Sequence, residues 1–110
     1  MTYKLFIDDE RFPVVIEDWK IARTIRDVQA IIDEFGVPSF ISFDHDLGAN
    51  EPSGMDITKM LVEMDMDGKI DLDQNFAFYV HSQNGPGTAN INSYLSNYLK
   101  VKRNEHRNGN

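Results

Sequence analysis

Carboxylates and imidazoles occur together in three short polar segments of this 110-residue chain. The segments are Asp8-Asp9, Asp44-His45-Asp46 and His81-Ser82, and each directly follows an apolar run. Such side chains can bind a divalent cation, transfer protons near neutral pH and hold a phosphate. Because the segments are far apart in the chain, this chemistry requires a fold that brings them together.

The predicted secondary structure supplies such a fold. Strands are expected at Tyr3 to Ile7, Trp19 to Arg23, around Phe40 to Phe43 and at Phe76 to Val80. Three helices are expected: one from a Thr24 cap to Gly36, one from a Ser53 cap to before Gly68, and one marked by Ile91 to Leu99. Alternating strands and helices indicate a mostly parallel four-stranded sheet with right-handed crossovers.

The remaining segments are expected to be irregular. Asn84-Gly85-Pro86-Gly87 is predicted to form a turn before the last helix. The polar tail from Lys102 to Asn110 is expected to fray. We therefore expect a single domain over residues 1–110.

The carboxyl ends of parallel strands meet at one rim of the sheet, where ligands of open α/β sheets bind. Carboxylates gathered there repel one another unless a cation or a shared proton separates them. Mg²⁺ or Mn²⁺ resolves this conflict, with Asp8, Asp9, Asp44 and Asp46 as predicted ligands. In an extended strand Asp44 and Asp46 share a face, so these two are the expected pair for one ion unless the chain bends there.

Catalytic roles are assigned to His45, His81 and Asp44, since imidazole titrates near neutral pH and exchanges protons with substrates. A structural role for His81, bonded to Asp44 or Asp46, is an equal alternative. In simpler interpretations the Asp8-Asp9 and Asp44-His45-Asp46 segments are solvated turns.

Phosphate binding is assigned to Arg11, Ser82, Asn84 and Gly87. Arg11 beside the acidic cluster suits a bidentate phosphate clamp, although a surface salt bridge is an alternative. Backbone amides near Gly87 suit an anion at the start of the last helix. The default role for Ser82 is a local cap.

Composition restricts the function further. With 11 basic and 18 acidic residues the net charge is −7, which argues against binding duplex DNA. The absence of cysteine excludes disulfides, thiolate metal sites and Cys nucleophiles. No apolar run approaches the ~20 residues of a membrane helix, so we expect a cytoplasmic protein with no membrane partner.

Taken together, three motifs resemble a known family. They are Asp8-Asp9-Glu10-Arg11 with Pro13, Ser42-Phe43-Asp44-His45-Asp46-Leu47-Gly48, and His81-Ser82-Gln83-Asn84 with Gly87. This combination resembles the cyclic-phosphate-processing receiver-like domain of phage and bacterial genomes, in which a Trp and an Arg often occupy the positions of Trp19 and Arg23. The resemblance implies a small receiver-like (flavodoxin-like) three-layer sandwich.

The resemblance also implies a role in processing cyclic phosphates of nucleotides or RNA ends. Together with the three converging strand ends, this predicts a metal-assisted hydrolase that opens a cyclic phosphate. By comparison with signalling receivers, Asp8 and Asp9 match the Mg²⁺-binding pair and Asp44 or Asp46 the phosphate-accepting Asp. Ser82 matches the switch hydroxyl of signalling receivers. The receiver Lys is missing and two histidines are added, which favours catalysis over signalling.

Two alternatives stay open. One is a non-catalytic receiver-like module that accepts phosphate at an Asp or binds a phosphorylated ligand. The other is a protein that captures a cyclic nucleotide without turnover. The sequence does not indicate the oligomeric state.

Overall fold

The computed structural model describes residues 2–13, 19–48 and 51–108, with side chains as far as Asn104. In chain order the elements are β1 (Lys4–Ile7), β2 (Trp19–Ala22), α1 (Ile25–Phe35), β3 (Phe40–Phe43), α2 (Gly54–Met66), β4 (Ala77–Val80) and α3 (Gly85–Asn108). The four strands form one sheet in the order β2-β1-β3-β4, and every pairing is parallel. The predicted α/β fold with a four-stranded parallel sheet is confirmed.

Register brings the ends of the strands level with one another. Ile7 lies opposite both Ala22 and Phe43, and Phe43 lies opposite Val80. The ladder continues one residue further, where the Asp44 amide donates to Ile7 O (2.9 Å) and the His81 amide donates to Phe43 O (2.8 Å). The polar residues that follow β1, β3 and β4 therefore meet at one rim.

The hydrophobic core lies on one face of the sheet. Leu5, Ile7, Ile41 and Phe43 alternate onto this face, and all are fully buried. Helical residues join them in one cluster: Val28, Ile32, Ile57, Leu61, Ile91 and Leu95. Phe6 points to the opposite face and contacts the rings of Trp19 and His81 instead.

All three described helices share this core and so cover the same face. The crossovers β2-α1-β3 and β3-α2-β4 both step across the sheet in the same direction. Right-handed connections that step the same way place their helices on the same side. Within residues 2–13, 19–48 and 51–108, no helix supplies the third layer of the predicted sandwich.

The start of α3 differs from the predicted turn. The helix begins at Gly85, and the Thr88 amide donates to Asn84 O at 2.8 Å to close its first turn. Pro86 is compatible with this position because the first amides of a helix have no helical partner. The turn-forming residues therefore begin the helix rather than precede it.

Helix α3 continues through Asn108, into the segment that was expected to fray. Lys102 lies in this segment, and its Nζ donates to Asp65 Oδ1 (2.6 Å), Asp71 Oδ1 (2.7 Å) and Leu72 O (3.0 Å). These bonds attach the helix to the end of α2 and to the loop between α2 and β4. No helix formed by the described residues is long and apolar enough to cross a membrane.

Asp65 is the buried partner in this attachment, with a side chain only 4% exposed. Burial opposes its ionisation, but hydrogen bonds from Lys102, Tyr98 and the Leu72 amide outweigh burial and hold the pKa of Asp65 below its ordinary value. A carboxyl with a lowered folded-state pKa stabilises the fold above its unfolded-state pKa of about 3.9. That contribution is lost as the pH falls through the lower folded-state pKa.

We predict that Asp65→Asn lowers the free energy of unfolding at pH 7 by about 2 kcal/mol, because the charge-assisted bonds are lost. Urea denaturation measures this. The matched control is Asp71→Asn, which removes the exposed partner of the same lysine and should cost less than about 1 kcal/mol. Below about pH 4 the wild type should lose stability more steeply than Asp65→Asn. Equal pH slopes would contradict an ionic role for Asp65.

Candidate active site

Asp8 is fully buried at the end of β1 and accepts four hydrogen bonds. Its Oδ1 accepts from the amides of Glu10 (3.0 Å) and Arg11 (2.9 Å), and its Oδ2 accepts from Arg11 Nε (2.8 Å) and pairs with His81 Nε2 (2.9 Å). Burial opposes the charge, but the amides and the neighbouring His81 and Arg11 side chains hold the pKa of Asp8 below its ordinary value. Asp8 is therefore a carboxylate at neutral pH, and it fixes both Arg11 and His81.

Arg23 fixes the same loop from the other side. Its Nη1 donates to Asp8 O (2.8 Å) and Arg11 O (2.6 Å), and its guanidinium lies 4.6 Å from the centre of the Phe12 ring. No role at the site was predicted for Arg23 from the sequence. Its position directly after β2 was the available signal, because the ends of β1 and β2 are level.

His81 uses both ring nitrogens within the protein. Its Nε2 bonds to Asp8, its Nδ1 lies 2.7 Å from Ser42 Oγ, and its ring stacks on Phe6 at 4.6 Å with a 5° interplanar angle. The carboxylate partner of His81 is thus Asp8, whereas Asp44 or Asp46 was predicted. Both ring nitrogens of His81 therefore bond to groups of the protein.

Ser42 was not among the predicted site residues. It lies in the middle of β3, is 6% exposed, and is opposite Phe6 in the sheet register. A single hydroxyl in an otherwise apolar strand was the signal, because a buried hydroxyl needs a partner. Only the pairing of β3 with β1 and β4 identifies that partner as His81.

Asp44 completes a group of three possible metal ligands. Ligand atoms of Asp8, Asp44 and His81 all lie within 4.8 Å of one another. The two carboxylates fit a divalent ion such as Mg²⁺ or Mn²⁺, which oxygen ligands suit, whereas both ring nitrogens of His81 already bond within the protein. Arg11 forms ion pairs with both carboxylates: Nε lies 2.8 Å from Asp8 Oδ2, and Nη2 lies 3.7 Å from Asp44 Oδ2.

Asp46 does not pair with Asp44, contrary to expectation. Strand β3 ends at Phe43, and the side chain of Asp46 is 66% exposed. Its Oδ1 lies 2.8 Å from His45 Nδ1, and its Oδ2 accepts from Asn84 Nδ2 at 3.2 Å. The hydrogen bond with His45 is the largest cause of the lowered pKa of Asp46, and the bond from Asn84 lowers it further. The expected shared face required an extended chain, and the chain leaves that conformation after Phe43.

Two glycines allow the helices to approach this segment. A Cβ on Gly54 would lie 2.2 Å from Asp44 O, and the Gly54 amide donates to His45 O at 2.7 Å. A Cβ on Gly87 would lie 2.4 Å from His45 Cγ. The first turns of α2 and α3 therefore pack closely on the Asp44-His45 segment.

The predicted phosphate-binding residues after β4 mostly bond to one another. The Gly87 amide donates to Asn84 Oδ1 (2.9 Å), and Ser82 Oγ accepts from the Asn84 amide (3.0 Å). Ser82 is thus a local cap, its default role, and Asn84 caps α3. The close approach at Gly87 is made by the His45 ring.

An open pocket lies over this rim. Its lining residues are Asp9, Glu10, Arg11, Asp44, Asp46, Leu47, Gly48, Glu51, Ser53, Ser82, Gln83 and Asn84. Five of these are carboxylates, and Arg11 is the one basic side chain among them. Asp8, His81 and His45 are not among the lining residues, so Asp44 and Arg11 connect the buried group to the pocket.

We predict that Gly87→Ala lowers the free energy of unfolding by about 1–3 kcal/mol, because the added methyl displaces His45. Denaturation and the NMR shifts of the His45 ring measure the effect. Gly85→Ala is the matched control in the same helical turn, where a Cβ meets nothing within 4 Å. It should be neutral or slightly stabilising. Similar losses in both variants would contradict the close packing of His45.

Comparison with known proteins identifies the family of the chain. The family model for the cyclic-phosphate processing receiver domain matches residues 3–97. No curated protein matches the chain significantly. No solved structure does either. The matched region includes all four strands and the whole rim, and the chain belongs to the family of cyclic-phosphate processing receiver domains.

Proposed function

We propose that this protein is a metal-assisted phosphoesterase that opens a cyclic phosphate on a nucleotide or an RNA end. The observation that carries the proposal is the acidic pocket over the Asp8, Asp44 and His81 group. Family membership supports the cyclic phosphate as the substrate class. In the reaction, water attacks phosphorus, one ring P–O bond breaks, and the released alkoxide takes up a proton to give a phosphomonoester.

The charges in the pocket favour a metal ion. A cyclic phosphodiester is anionic, and one arginine does not balance five surrounding carboxylates. A divalent ion would neutralise the acids and polarise phosphorus. Mg²⁺ and Mn²⁺ both fit a set of carboxylate and water oxygens.

Asp44 is the expected first ligand of such an ion. Asp8 already accepts four hydrogen bonds, whereas the described contact of the Asp44 carboxylate is the 3.7 Å ion pair with Arg11. Asp44 also lines the pocket, and Asp8 lies behind it. Asp9 and Asp46 line the open side, where they suit water-mediated contacts to the ion.

Arg11 is the expected phosphate clamp. Its Nε bonds to Asp8, but 44% of the side chain is exposed. Its Nη2 lies 3.7 Å from Asp44 Oδ2. An ion on Asp44 would release the terminal nitrogens for the phosphate oxygens, which guanidinium binds in bidentate geometry.

His45 is the expected proton-transfer residue. A hydrogen bond from Nδ1 to Asp46 leaves Nε2 unprotonated in the neutral ring, as a general base requires. His81 supports Asp8 from behind, and Ser42 holds the second nitrogen of its ring. His45 is thus the expected proton-transfer residue, whereas His81 holds Asp8 in position.

The proposal is tested with 2′,3′-cyclic nucleotides and a short RNA ending in a 2′,3′-cyclic phosphate, with phosphorus NMR detecting the monoester. We expect turnover that EDTA abolishes and that Mg²⁺ or Mn²⁺ restores. Full activity after exhaustive chelation would contradict the metal. Absence of turnover with every substrate and ion would contradict the enzyme.

His45→Gln should lower kcat by about 100- to 10,000-fold, the contribution expected of an acid–base residue. Arg11→Lys should mainly raise KM, because lysine lacks the bidentate fork. The control is Asp33→Asn on α1, whose carboxylate bonds to Gln29 away from the pocket and should leave both constants unchanged. An unchanged kcat in His45→Gln would contradict its role.

The buried position of Asp44 at the end of β3 also favours a second candidate, a module that accepts phosphate on Asp44. Incubation with a small phosphodonor and mass spectrometry distinguishes the two. A stable phosphoryl group on Asp44, without turnover of cyclic substrates, would favour the second candidate.

A further inference from the structure

Strand β4 is an edge of the sheet without the usual protection. Its residues are Ala77, Phe78, Tyr79 and Val80, and they include no charge and no proline. Edge strands of soluble proteins usually carry lysine, proline or a bulge that prevents pairing with another chain. The opposite edge, β2, has such a residue in Lys20, whose Nζ lies 3.8 Å from the centre of the Phe35 ring.

The hydrogen bonds of β4 identify its free backbone groups. The Ala77 amide donates to Ser39 O (3.1 Å) and the His81 amide to Phe43 O (2.8 Å), both toward β3. Successive residues of a strand direct their backbone groups to alternate sides, so Phe78 and Val80 direct theirs away from β3. No strand formed by the described residues pairs with that side.

Phe76, two residues before Phe78, also directs its backbone groups away from β3. Its carbonyl already has a partner. Arg103 Nη2 donates to Phe76 O at 2.9 Å. The unpaired length of the edge is therefore short and begins at Phe78. Tyr79, between the two free residues, is 61% exposed on the face that also bears His81.

We propose that β4 pairs antiparallel with β4 of a second copy of this chain, about a two-fold axis at Tyr79. In this register Phe78 of each copy lies opposite Val80 of the other, and each such pair exchanges two hydrogen bonds. The two Tyr79 residues face each other as a non-hydrogen-bonded pair, where side chains are closest and aromatic pairs are favourable. The two sheets join into one of eight strands.

Charge complementarity supports a second copy as the occupant. The carboxyl end of β4 adjoins the acidic pocket, and its amino end adjoins a groove whose charged lining residues are Lys100 and Arg103. Asp71 and Asp73 also lie near that end. Antiparallel pairing places the basic groove of each copy next to the acidic pocket of the other. The pairing is thereby attractive although each chain carries a net charge of −7.

The same register brings Arg103 to the site of the second copy. Phe76, which holds Arg103, lies opposite Ser82 of the second copy, and Ser82 lines the acidic pocket. Arg103 is only partly buried, so its side chain can contribute to this contact. Each pocket would thus gain a cation beside Arg11. This inference does not depend on the proposed enzymatic activity.

Sedimentation equilibrium of the full chain from about 1 µM to about 1 mM tests the pairing, since this range covers weak association. We expect a monomer–dimer equilibrium that weakens as NaCl is added. Tyr79→Lys places two like charges across the axis and should raise the dissociation constant at least about tenfold. Tyr94→Lys, at an exposed tyrosine of α3, is the matched control and should leave it unchanged.

Amide hydrogen exchange tests the register. On raising the concentration, exchange at Phe78 and Val80 should slow, while Ala77 and His81, which bond to β3 already, should change little. A chain that stays monomeric at the highest concentration overturns the proposal, even if the edge accepts a strand of another protein. A dimer that Tyr79→Lys does not weaken, or protection without this alternation, also overturns it.

Discussion

The charge of Asp8 is the constraint on which the rest of the site depends. A carboxylate fully removed from water is costly by several kcal/mol unless hydrogen bonds and opposite charges surround it. Two backbone amides, Arg11 and His81 provide this compensation. Because each donor must stay in place, Asp8 orders the loop after β1 and the residue after β4 together.

This ordering extends outward from His81. The imidazole bonds to Asp8 on one side and Ser42 on the other, while Phe6 stacks on its face. Three strands thus hold one ring, and its nitrogens are committed before any substrate arrives. The arrangement separates buried residues that position the site from Asp44 and Arg11, which face the pocket. A second buried carboxylate, Asp65, attaches α3 to the α2–β4 loop in the same physical way, but with a lysine and far from the rim.

The one-sided packing of the helices connects the fold to both proposals. Because both helical crossovers step in the same direction, the described helices bury one face of the sheet. The other face carries Ser42, Phe6 and His81, and it leads directly to the rim. The same order of strands leaves β4 as an edge, so the free backbone groups lie next to the candidate site.

The sequence by itself determined the elements and the rim. Apolar strands that end in Asp8, Asp44 and His81 predict one polar edge, because parallel strands in register must end together. The Thr24 and Ser53 caps also predicted the starts of α1 and α2, since capping is a local property. The tertiary structure decided the partners. Asp46 bonds to His45 and not to Asp44, and His81 bonds to Asp8. Ser42 and Arg23 also belong to the site. Such contacts depend on the register between strands. The continuation of α3 past Lys102 likewise required a buried acid from α2. Local pattern fixes where a polar group occurs along the chain, whereas its partner is set by which distant backbone lies beside it.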